Sequence, residues 1–262
     1  MRMGVCMTAR GPADPSRLAF LAGRSYAHRG LHSPDGPPEN SLPAFAAALD
    51  AGHGMECDVR LSADGIAHVF HDAMLNRMTG QPGALAALDA ARLAAIELRD
   101  GGGPIPRLSA LLDLVAGRAP LLIELKVDRL RDTRPLCEAV RRDLADYEGE
   151  VAVMSFSPRV SRWFHFHAPH IVHGLVMTEE RRKGMRGRIA RHLAIAHAHP
   201  DFLAYDIRDL PSPLVRTLRE RGYRVLSWTV RDERQWRLVE AEADAAIFEG
   251  PLPASAVKGP GR

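Results

Sequence analysis

The sequence has few of the features that mark secreted, membrane-spanning or disulfide-bonded proteins. Its three cysteines, Cys6, Cys57 and Cys137, include no CxxC pair, which argues against a disulfide framework or a zinc knuckle and fits a reducing compartment. The apolar run at 18–22 is shorter than the ~7–15 residues of a signal-peptide core, and Arg24 interrupts it. No stretch approaches the ~20 apolar residues of a membrane span. We therefore expect a cytoplasmic protein without stable membrane insertion.

The chain also lacks a large excess of either charge, because it has 35 Lys and Arg residues and 32 Asp and Glu residues, for a formal net charge of +3. We expect no nucleic-acid partner, since such a protein concentrates positive charge on one face. The one basic run lies at 179–191, and we interpret it as a solvated helix surface. Attraction to anionic lipid headgroups or to an acidic substrate remains open for this run, and the oligomeric state remains unknown.

Apolar runs typical of β-strands alternate with amphipathic helical stretches along the chain. Strands of the alternating pattern are predicted at 25–27, 55–59, 121–125, 151–155, 171–177, 202–205, 224–230 and 245–248. Helices are predicted among them at 41–50, 107–115, 134–146 and 212–221. Strands that alternate with helices indicate a parallel sheet, and eight such units indicate a closed (β/α)8 TIM barrel. We expect one domain over residues 1–262, with an ordered core at about 24–250 and loosely ordered ends.

One further predicted strand, at 66–70, does not fit this alternation. A short turn at 63–65 separates it from the strand at 55–59, and so short a link allows only an antiparallel hairpin. The hairpin places His71 beside the second barrel strand. Residues 60–106 are therefore predicted to form the hairpin and a small insertion after that strand.

Carboxylates cluster at the predicted carboxyl ends of the barrel strands, where such barrels carry their catalytic groups. Glu56 and Asp58 are two residues apart on one strand and share a face, as do Glu124 and Lys126 on the next. Converging carboxylates repel one another unless a cation neutralises them, and all-oxygen ligation suits Mg²⁺ or Ca²⁺ rather than zinc. The sequence thus predicts a divalent cation at the barrel mouth.

Two histidines and two cationic side chains stand beside this predicted cation. His28 and His71, with ordinary pKa values of about 6.5, suit the roles of base and acid at neutral pH. Arg29 and Lys126 are donors matched to a phosphoryl group. Together these groups favour phosphoryl transfer. Each alone has a plainer interpretation, such as a structural ion pair or a surface dipeptide, so the prediction depends on their conjunction.

In chain order the same residues resemble the motifs of the glycerophosphodiester phosphodiesterases. The matching motifs are AHRG at 27–30, PENS at 38–41, ECDV at 56–59, DG at 64–65, VFHD at 69–72, LNRMTG at 75–80, IPRL at 105–108 and IELK at 123–126. A weaker likeness continues through SFSP at 155–158 and SWTV at 227–230. The resemblance implies a (β/α)8 barrel with a small insertion after the second strand, in agreement with the hairpin.

The resemblance also implies a role for each residue of the site. It implies His28 and His71 as the acid/base pair, and Glu56, Asp58 and Glu124 as the ligands of one Mg²⁺ or Ca²⁺ ion. Arg29 and Lys126 would contact the phosphate, and Trp228 would line the mouth. Glu39 and Asn40 would support the His-Arg-Gly turn. The implied reaction converts a small-molecule glycerophosphodiester to glycerol 3-phosphate and an alcohol. A lysophospholipase D-type activity and a non-catalytic barrel that binds phosphorylated ligands remain as alternatives, and for Trp228 so does a core-filling role.

Two positions at the predicted mouth depart from the family pattern. Arg231 stands where the family often has Asn, and Glu249 stands where its last strand often ends in Asp or Asn. Both leave the predicted ligands and histidines untouched, but they bear on specificity, and an arginine there favours an acidic or larger substrate. Cys57 is expected to face the helices rather than act as a nucleophile. No second metal site is expected among the histidines at 165–199.

Overall fold

The computed structural model describes residues 14–180 and 183–251 of the 262-residue chain. Within these ranges the strands are β1 (Ser25–Ala27), β2 (Gly54–Leu61), β3 (Ala67–Val69), β4 (Leu121–Leu125), β5 (Val151–Ser155), β6 (Val172–Met177), β7 (Phe202–Asp206), β8 (Arg224–Val230) and β9 (Ala245–Phe248). Eight of them pair in parallel, in the order β2, β4, β5, β6, β7, β8, β9, β1, and β1 closes the ring on β2. The sheet is therefore a closed barrel.

Helices connect the successive barrel strands. The helices are α1 (Leu42–Asp50), α2 (Asn76–Thr79), α3 (Ala90–Leu93), α4 (Leu108–Val115), α5 (Thr133–Asp143), α6 (Pro158–His167), α7 (Met185–Ala198), α8 (Pro213–Glu220) and α9 (Glu233–Glu242). Each of the seven links between consecutive barrel strands contains one long helix, so the predicted (β/α)8 TIM barrel is confirmed. Among the described residues, no helix is both long and apolar enough to cross a bilayer.

Side chains along each barrel strand alternate between the barrel interior and the layer beneath the helices. On β2, Met55, Cys57 and Val59 are fully buried in the outer layer, which packs against α4 and α5. Glu56 and Asp58 lie between them on the inward face. Cys57 thus packs beneath the helices, as the alternation predicts. Burial of each large apolar side chain in this layer contributes about 1.5–3 kcal/mol to folding.

A 3₁₀-helix at Pro15–Leu21 plugs the end of the barrel opposite the carboxyl ends of the strands. Leu18 and Leu21 are one turn apart, and both are buried against the inner side chains of the barrel, among them Leu122 and Tyr26. The phenol of Tyr26 donates to the Phe20 carbonyl at 2.5 Å. The expectation of a loosely ordered segment here was wrong, because its apolar side chains fill the barrel end. The expected loose order at 1–13 and 252–262 lies outside the described residues.

The predicted hairpin and insertion are present after the second barrel strand. β3 pairs antiparallel with β2, with Val59 opposite Val69, and the amide of Phe70 extends the pairing to the Asp58 carbonyl at 2.9 Å. His71 follows directly and is thereby held beside the carboxyl end of β2. The insertion has a small core of its own, formed by Phe70, Leu75, Leu85, Leu93, Ile96, Leu98 and Ile105. Its position after the second strand agrees with the sequence.

Candidate active site

A cavity of about 450 Å³ opens at the carboxyl ends of the barrel strands. Seven of the ten predicted site residues line it: His28, Arg29, Glu56, His71, Glu124, Lys126 and Trp228. The other three, Glu39, Asn40 and Asp58, stand behind this wall and contact Arg29. The structure therefore brings together all the residues that the sequence singled out.

Three carboxylates converge at the base of the cavity. Glu56, Asp58 and Glu124 each offer an oxygen, and these oxygens lie within 4.8 Å of one another. Strand register produces this arrangement, because Asp58 on β2 is directly opposite Glu124 on β4. Burial and the neighbouring carboxylates raise the pKa of Glu56 well above its ordinary value. Burial also raises the pKa of Glu124.

Two cationic side chains reach into the carboxylate cluster. Lys126 Nζ lies 2.9 Å from an Asp58 oxygen and 2.7 Å from Glu124 Oε1, and Arg29 Nε lies 3.1 Å from the other Asp58 oxygen. Burial opposes ionisation of Asp58, but Lys126 and Arg29 outweigh it and hold the Asp58 pKa below its ordinary value. Glu56 Oε1, by contrast, is buried and accepts no hydrogen bond within the described part of the chain. An ionised oxygen buried in this way is costly unless a cation meets it.

The turn after β1 has a conformation that fixes Arg29 against these carboxylates. Arg29 and Gly30 have φ values of 57° and 81°, and the Arg29 amide donates to Glu56 at 3.1 Å. A Cβ at Gly30 would lie 2.9 Å from Ala44 of α1, so only glycine fits there. Asn40 donates its amide to the Arg29 carbonyl at 2.8 Å and its side chain to Asp58 at 2.9 Å.

Glu249 contacts His28, and Arg231 contacts Glu249; these are the two residues that depart from the family pattern. His28 Nδ1 lies 2.5 Å from Glu249 Oε1, and the other Glu249 oxygen accepts from Arg231 at 2.8 Å. Burial raises the Glu249 pKa, but His28 and Arg231 outweigh it and lower that pKa to about 2. Burial lowers the pKa of His28, against the opposing effect of Glu249. From the sequence, Arg231 and Glu249 were expected to bear on specificity. The contact of Glu249 with His28 was not predicted, because it exists only when β9 pairs with β1 to close the barrel.

His71 is held in the same manner by residues of the insertion. Its Nδ1 lies 2.7 Å from Asp72, and Arg77 donates to Asp72 at 2.6 Å. Arg77 also donates twice to Glu39, at 2.7 and 2.9 Å, and Glu39 in turn accepts from Arg29 at 2.9 Å. Burial lowers the pKa of His71 below its ordinary value. Arg77 was not predicted as a site residue, although it lies within one of the matched motifs.

Aromatic side chains form one wall of the cavity mouth. Trp228 is partly buried, its Nε1 donates to the Ala204 carbonyl at 3.0 Å, and its ring contacts that of Phe156 edge-on at 5.4 Å between centroids. Phe156 is 46% exposed. Trp228 therefore lines the mouth and also packs against the core.

Histidines at the opposite end of the barrel are closer together than the sequence indicates. The ring of His165 lies 4.8 Å from that of His199 and 5.8 Å from that of His173, and His173 pairs with Asp201 at 2.9 Å. Within 14–180 and 183–251, the group that brings three ligand atoms within 4.8 Å of one another is the carboxylate cluster.

Comparison with known proteins agrees with this geometry. Residues 28–252 match the model of the "Glycerophosphoryl diester phosphodiesterase family". A glycerophosphodiester phosphodiesterase of Caldanaerobacter subterraneus is 25% identical over 242 residues, which cover 86% of this chain and 93% of the relative. One of Bacillus altitudinis is 32% identical over 156 residues, covering 56% of this chain and 63% of that protein.

Solved structures share the fold. A phosphodiesterase of Oleispira antarctica, in complex with the product sn-glycerol-3-phosphate, has a TM-score of 0.76 and 23% identity, covering 88% of this chain and 94% of that one. The glycerophosphodiester phosphodiesterase of Thermotoga maritima has a TM-score of 0.69 and 25% identity, covering 89% and 95%. Since the family match spans most of the barrel and every strand end that carries the site, the chain belongs to the glycerophosphoryl diester phosphodiesterase family, whose chemistry is the hydrolysis of glycerophosphodiesters.

Proposed function

We propose that this protein hydrolyses a small-molecule glycerophosphodiester to glycerol 3-phosphate and an alcohol, with His28 and His71 as its acid/base pair. The observation that carries the proposal is the convergence of three buried carboxylates, two histidines and two cationic side chains on one cavity at the barrel mouth. Unpaired, buried Cys57 and Cys137 support a cytoplasmic location, where thiols stay reduced.

The carboxylate cluster fits a divalent cation. Glu56, Asp58 and Glu124 would hold the ion. Glu56 Oε1 is a buried oxygen that has no hydrogen-bond partner among the described residues, so it is available as a metal ligand. Oxygen ligands suit Mg²⁺ or Ca²⁺. When bound, such an ion supplies positive charge that neutralises the non-bridging oxygens of the phosphodiester.

Charge balance supports phosphate binding by Arg29 and Lys126. The three carboxylates, when ionised, and these two cationic side chains together carry one net negative charge; behind them, Arg77 is shared between Glu39 and Asp72. A divalent cation would leave one positive charge, which matches the single negative charge of a phosphodiester. Lys126 and Arg29 already lie at the cavity wall, so each can donate to a phosphoryl oxygen there.

The histidines are oriented for proton transfer. Because ionised Glu249 and Asp72 only accept hydrogen bonds, the Nδ1 atoms of His28 and His71 carry protons, and each Nε2 is left as the basic atom. One imidazole takes the proton of the attacking hydroxyl as its oxygen bonds to phosphorus. The other, protonated, donates to the alcohol oxygen as its bond to phosphorus breaks. The attacking hydroxyl belongs to water or to the glycerol itself. In the second case the alcohol leaves as a cyclic phosphate forms, and water then opens that ring to give glycerol 3-phosphate.

Two Arg–carboxylate pairs act as positioning groups behind the histidines. Arg231 holds Glu249 behind His28, and Arg77 holds Asp72 behind His71. The pairing of Arg231 with Glu249 also compensates the charge of that arginine at the mouth. This argues against the expectation that Arg231 selects an acidic substrate.

A lysophospholipase D-type activity is the second candidate. The observation that favours it is the half-exposed aromatic wall of Phe156 and Trp228, which offers an acyl chain apolar contact at the mouth. Glycerophosphocholine and its acylated form, assayed side by side, separate the two candidates by their relative kcat/KM values.

A panel of glycerophosphodiesters assayed with Mg²⁺, Ca²⁺ or a chelator tests the proposal. We expect release of glycerol 3-phosphate in the presence of a cation, and loss of most turnover in His28→Ala and His71→Ala. Near-normal rates in both variants would overturn the assignment of the acid/base pair. Unchanged binding of a phosphorylated ligand after chelation, with no turnover of any diester, would favour a non-catalytic barrel.

A further inference from the structure

Helix α7 presents an apolar stripe to solvent. Met185, Ile189 and Leu193 recur every four residues and therefore share one face of the helix, and they are 65%, 53% and 65% exposed. The buried residues of this helix lie on the opposite face: Gly187, Arg191 and Ala198. An ordinary barrel helix has its apolar stripe on the core side, so an apolar stripe on the solvent side of α7 is unusual.

A polar network also holds the inward face of α7, beside the apolar contacts of Ala194, Ile195 and Ala198 with the core. Arg191, predicted on a solvated surface, is buried and pairs with Glu179 at 2.9 Å. Glu179 also accepts from the Tyr205 hydroxyl at 2.6 Å and from Ser212 at 3.0 Å. These contacts fix the rotation of the helix, so Met185, Ile189 and Leu193 cannot turn inward without breaking the ion pair of buried Arg191.

Basic side chains flank the stripe on both sides. Arg186 and Arg188 are exposed at positions adjacent to Ile189, and the sequence of α7 contains no acidic residue. In the described part of the chain neither arginine pairs with a carboxylate. The apolar surface continues on α6, where Phe166 is 58% exposed and its ring lies 6.2 Å from that of His199, just beyond the end of α7.

We propose that this face, defined by Met185, Ile189 and Leu193 with Arg186 and Arg188, docks on an anionic lipid surface. An apolar stripe between basic residues is the pattern of a helix that lies in the membrane interface. The alternative partner is a second copy of this chain, docked through the same face. Because α7 has no acidic residues, that dimer would bring like charges together, whereas anionic headgroups complement the arginines. α7 begins on the cavity side of the barrel and runs along its flank, so docking leaves the mouth open.

Vesicle co-sedimentation of the full chain tests this proposal without reference to turnover. We expect binding to vesicles of equal parts phosphatidylcholine and phosphatidylglycerol, little binding to phosphatidylcholine alone, and release as salt shortens the Debye length. The double variant Arg186→Gln/Arg188→Gln should bind about 30-fold more weakly. The double variant Ile189→Gln/Leu193→Gln should lose more than about tenfold.

Matched controls exist elsewhere on the surface. Leu130→Gln alters an equally exposed leucine, at 64%, and Arg234→Gln alters an exposed arginine of α9, so both should bind like the parent. Thermal unfolding of each variant shows whether it is folded. Equal binding to neutral vesicles, no binding to anionic ones, or α7 variants that bind like the parent would overturn the proposal. So would a dimer in sedimentation velocity that Ile189→Gln/Leu193→Gln abolishes, since a second copy would then be the occupant.

Discussion

Removal of the Glu249 carboxylate should slow turnover without weakening substrate binding. Glu249 holds Nδ1 of His28 through a 2.5 Å hydrogen bond, and it is not among the described residues that line the cavity. A hydrogen bond to a charged group contributes about 1.5–3 kcal/mol. If that energy is spent on aligning His28 for proton transfer, Glu249→Ala should lower kcat by about 10- to 150-fold with little change in KM.

Graded substitutions separate positioning from a general loss of stability. Glu249→Gln keeps an acceptor for Nδ1 but loses the charge, so we expect only about a tenfold fall in kcat. Arg231→Gln leaves Glu249 in place and should cost less still. Glu233→Gln is the control, because it breaks a pair with Arg237 on α9 that is more than half exposed and worth little.

Steady-state kinetics on glycerophosphocholine, with thermal unfolding of each variant, gives the comparison. The ¹⁵N shifts of His28 add a signature of the tautomer, which should be Nδ1–H in the parent and mixed in Glu249→Ala. A kcat for Glu249→Ala within about twofold of the parent, alongside an inactive His28→Ala, would refute the reasoning. A fall in kcat/KM that arises wholly from KM would refute it equally.

Three further predictions concern pH, packing and the first turn. Burial lowers the pKa values of His28 and His71. Because a histidine acts as a base only when it is neutral, the acidic limb of the kcat/KM profile should lie below pH 6.5. An acidic limb above pH 6.5 would contradict this prediction. Cys57→Ala should keep normal turnover and lose about 1 kcal/mol in urea unfolding, and an inactive but folded variant would contradict its packing role. Gly30→Ala should lower both stability and turnover. Gly52→Ala is the control, because Gly52 has a similar φ of 74° but open space around it, and it should cost only about 1 kcal/mol in stability. Equal losses in the two variants would show that the contact of residue 30 with α1 is unimportant.

Local pattern was sufficient to predict most of the barrel. The strands at 121–125, 151–155, 224–230 and 245–248 have the predicted bounds, because short apolar runs between polar loops leave little choice of register. β2 extends to Leu61, beyond the predicted 55–59, because its last residues pair with β3. That extension depends on a partner strand and has no signal within β2 itself.

The inward residues of the site were likewise predictable from alternation. Glu56 and Asp58 share a face because they are two apart on a strand, and the hairpin length alone placed His71 beside them. The contact of His28 with Glu249 spans 221 residues and exists only because β9 pairs with β1. No local pattern encodes such a contact.

Two further features required tertiary structure to interpret. The segment at Pro15–Leu21 has a composition typical of a loose terminus, but two of its leucines fit the open end of the barrel. The basic run at 179–191 contains a buried Arg191 whose partner, Glu179, comes from the loop before α7. Charge in the sequence indicated a solvated face, whereas folding turned one arginine inward and left apolar residues outside.

The most direct test of the proposed chemistry is the release of glycerol 3-phosphate by metal-stripped protein before and after cation is restored. With Glu56, Asp58 and Glu124 as ligands, chelation should abolish release from glycerophosphocholine, and Mg²⁺ or Ca²⁺ should restore it. Glu56→Gln, which keeps the shape of the side chain and removes its charge, should stay inactive at cation concentrations that saturate the parent. Undiminished release after chelation, or full activity of Glu56→Gln, would contradict a cation-centred phosphodiesterase site.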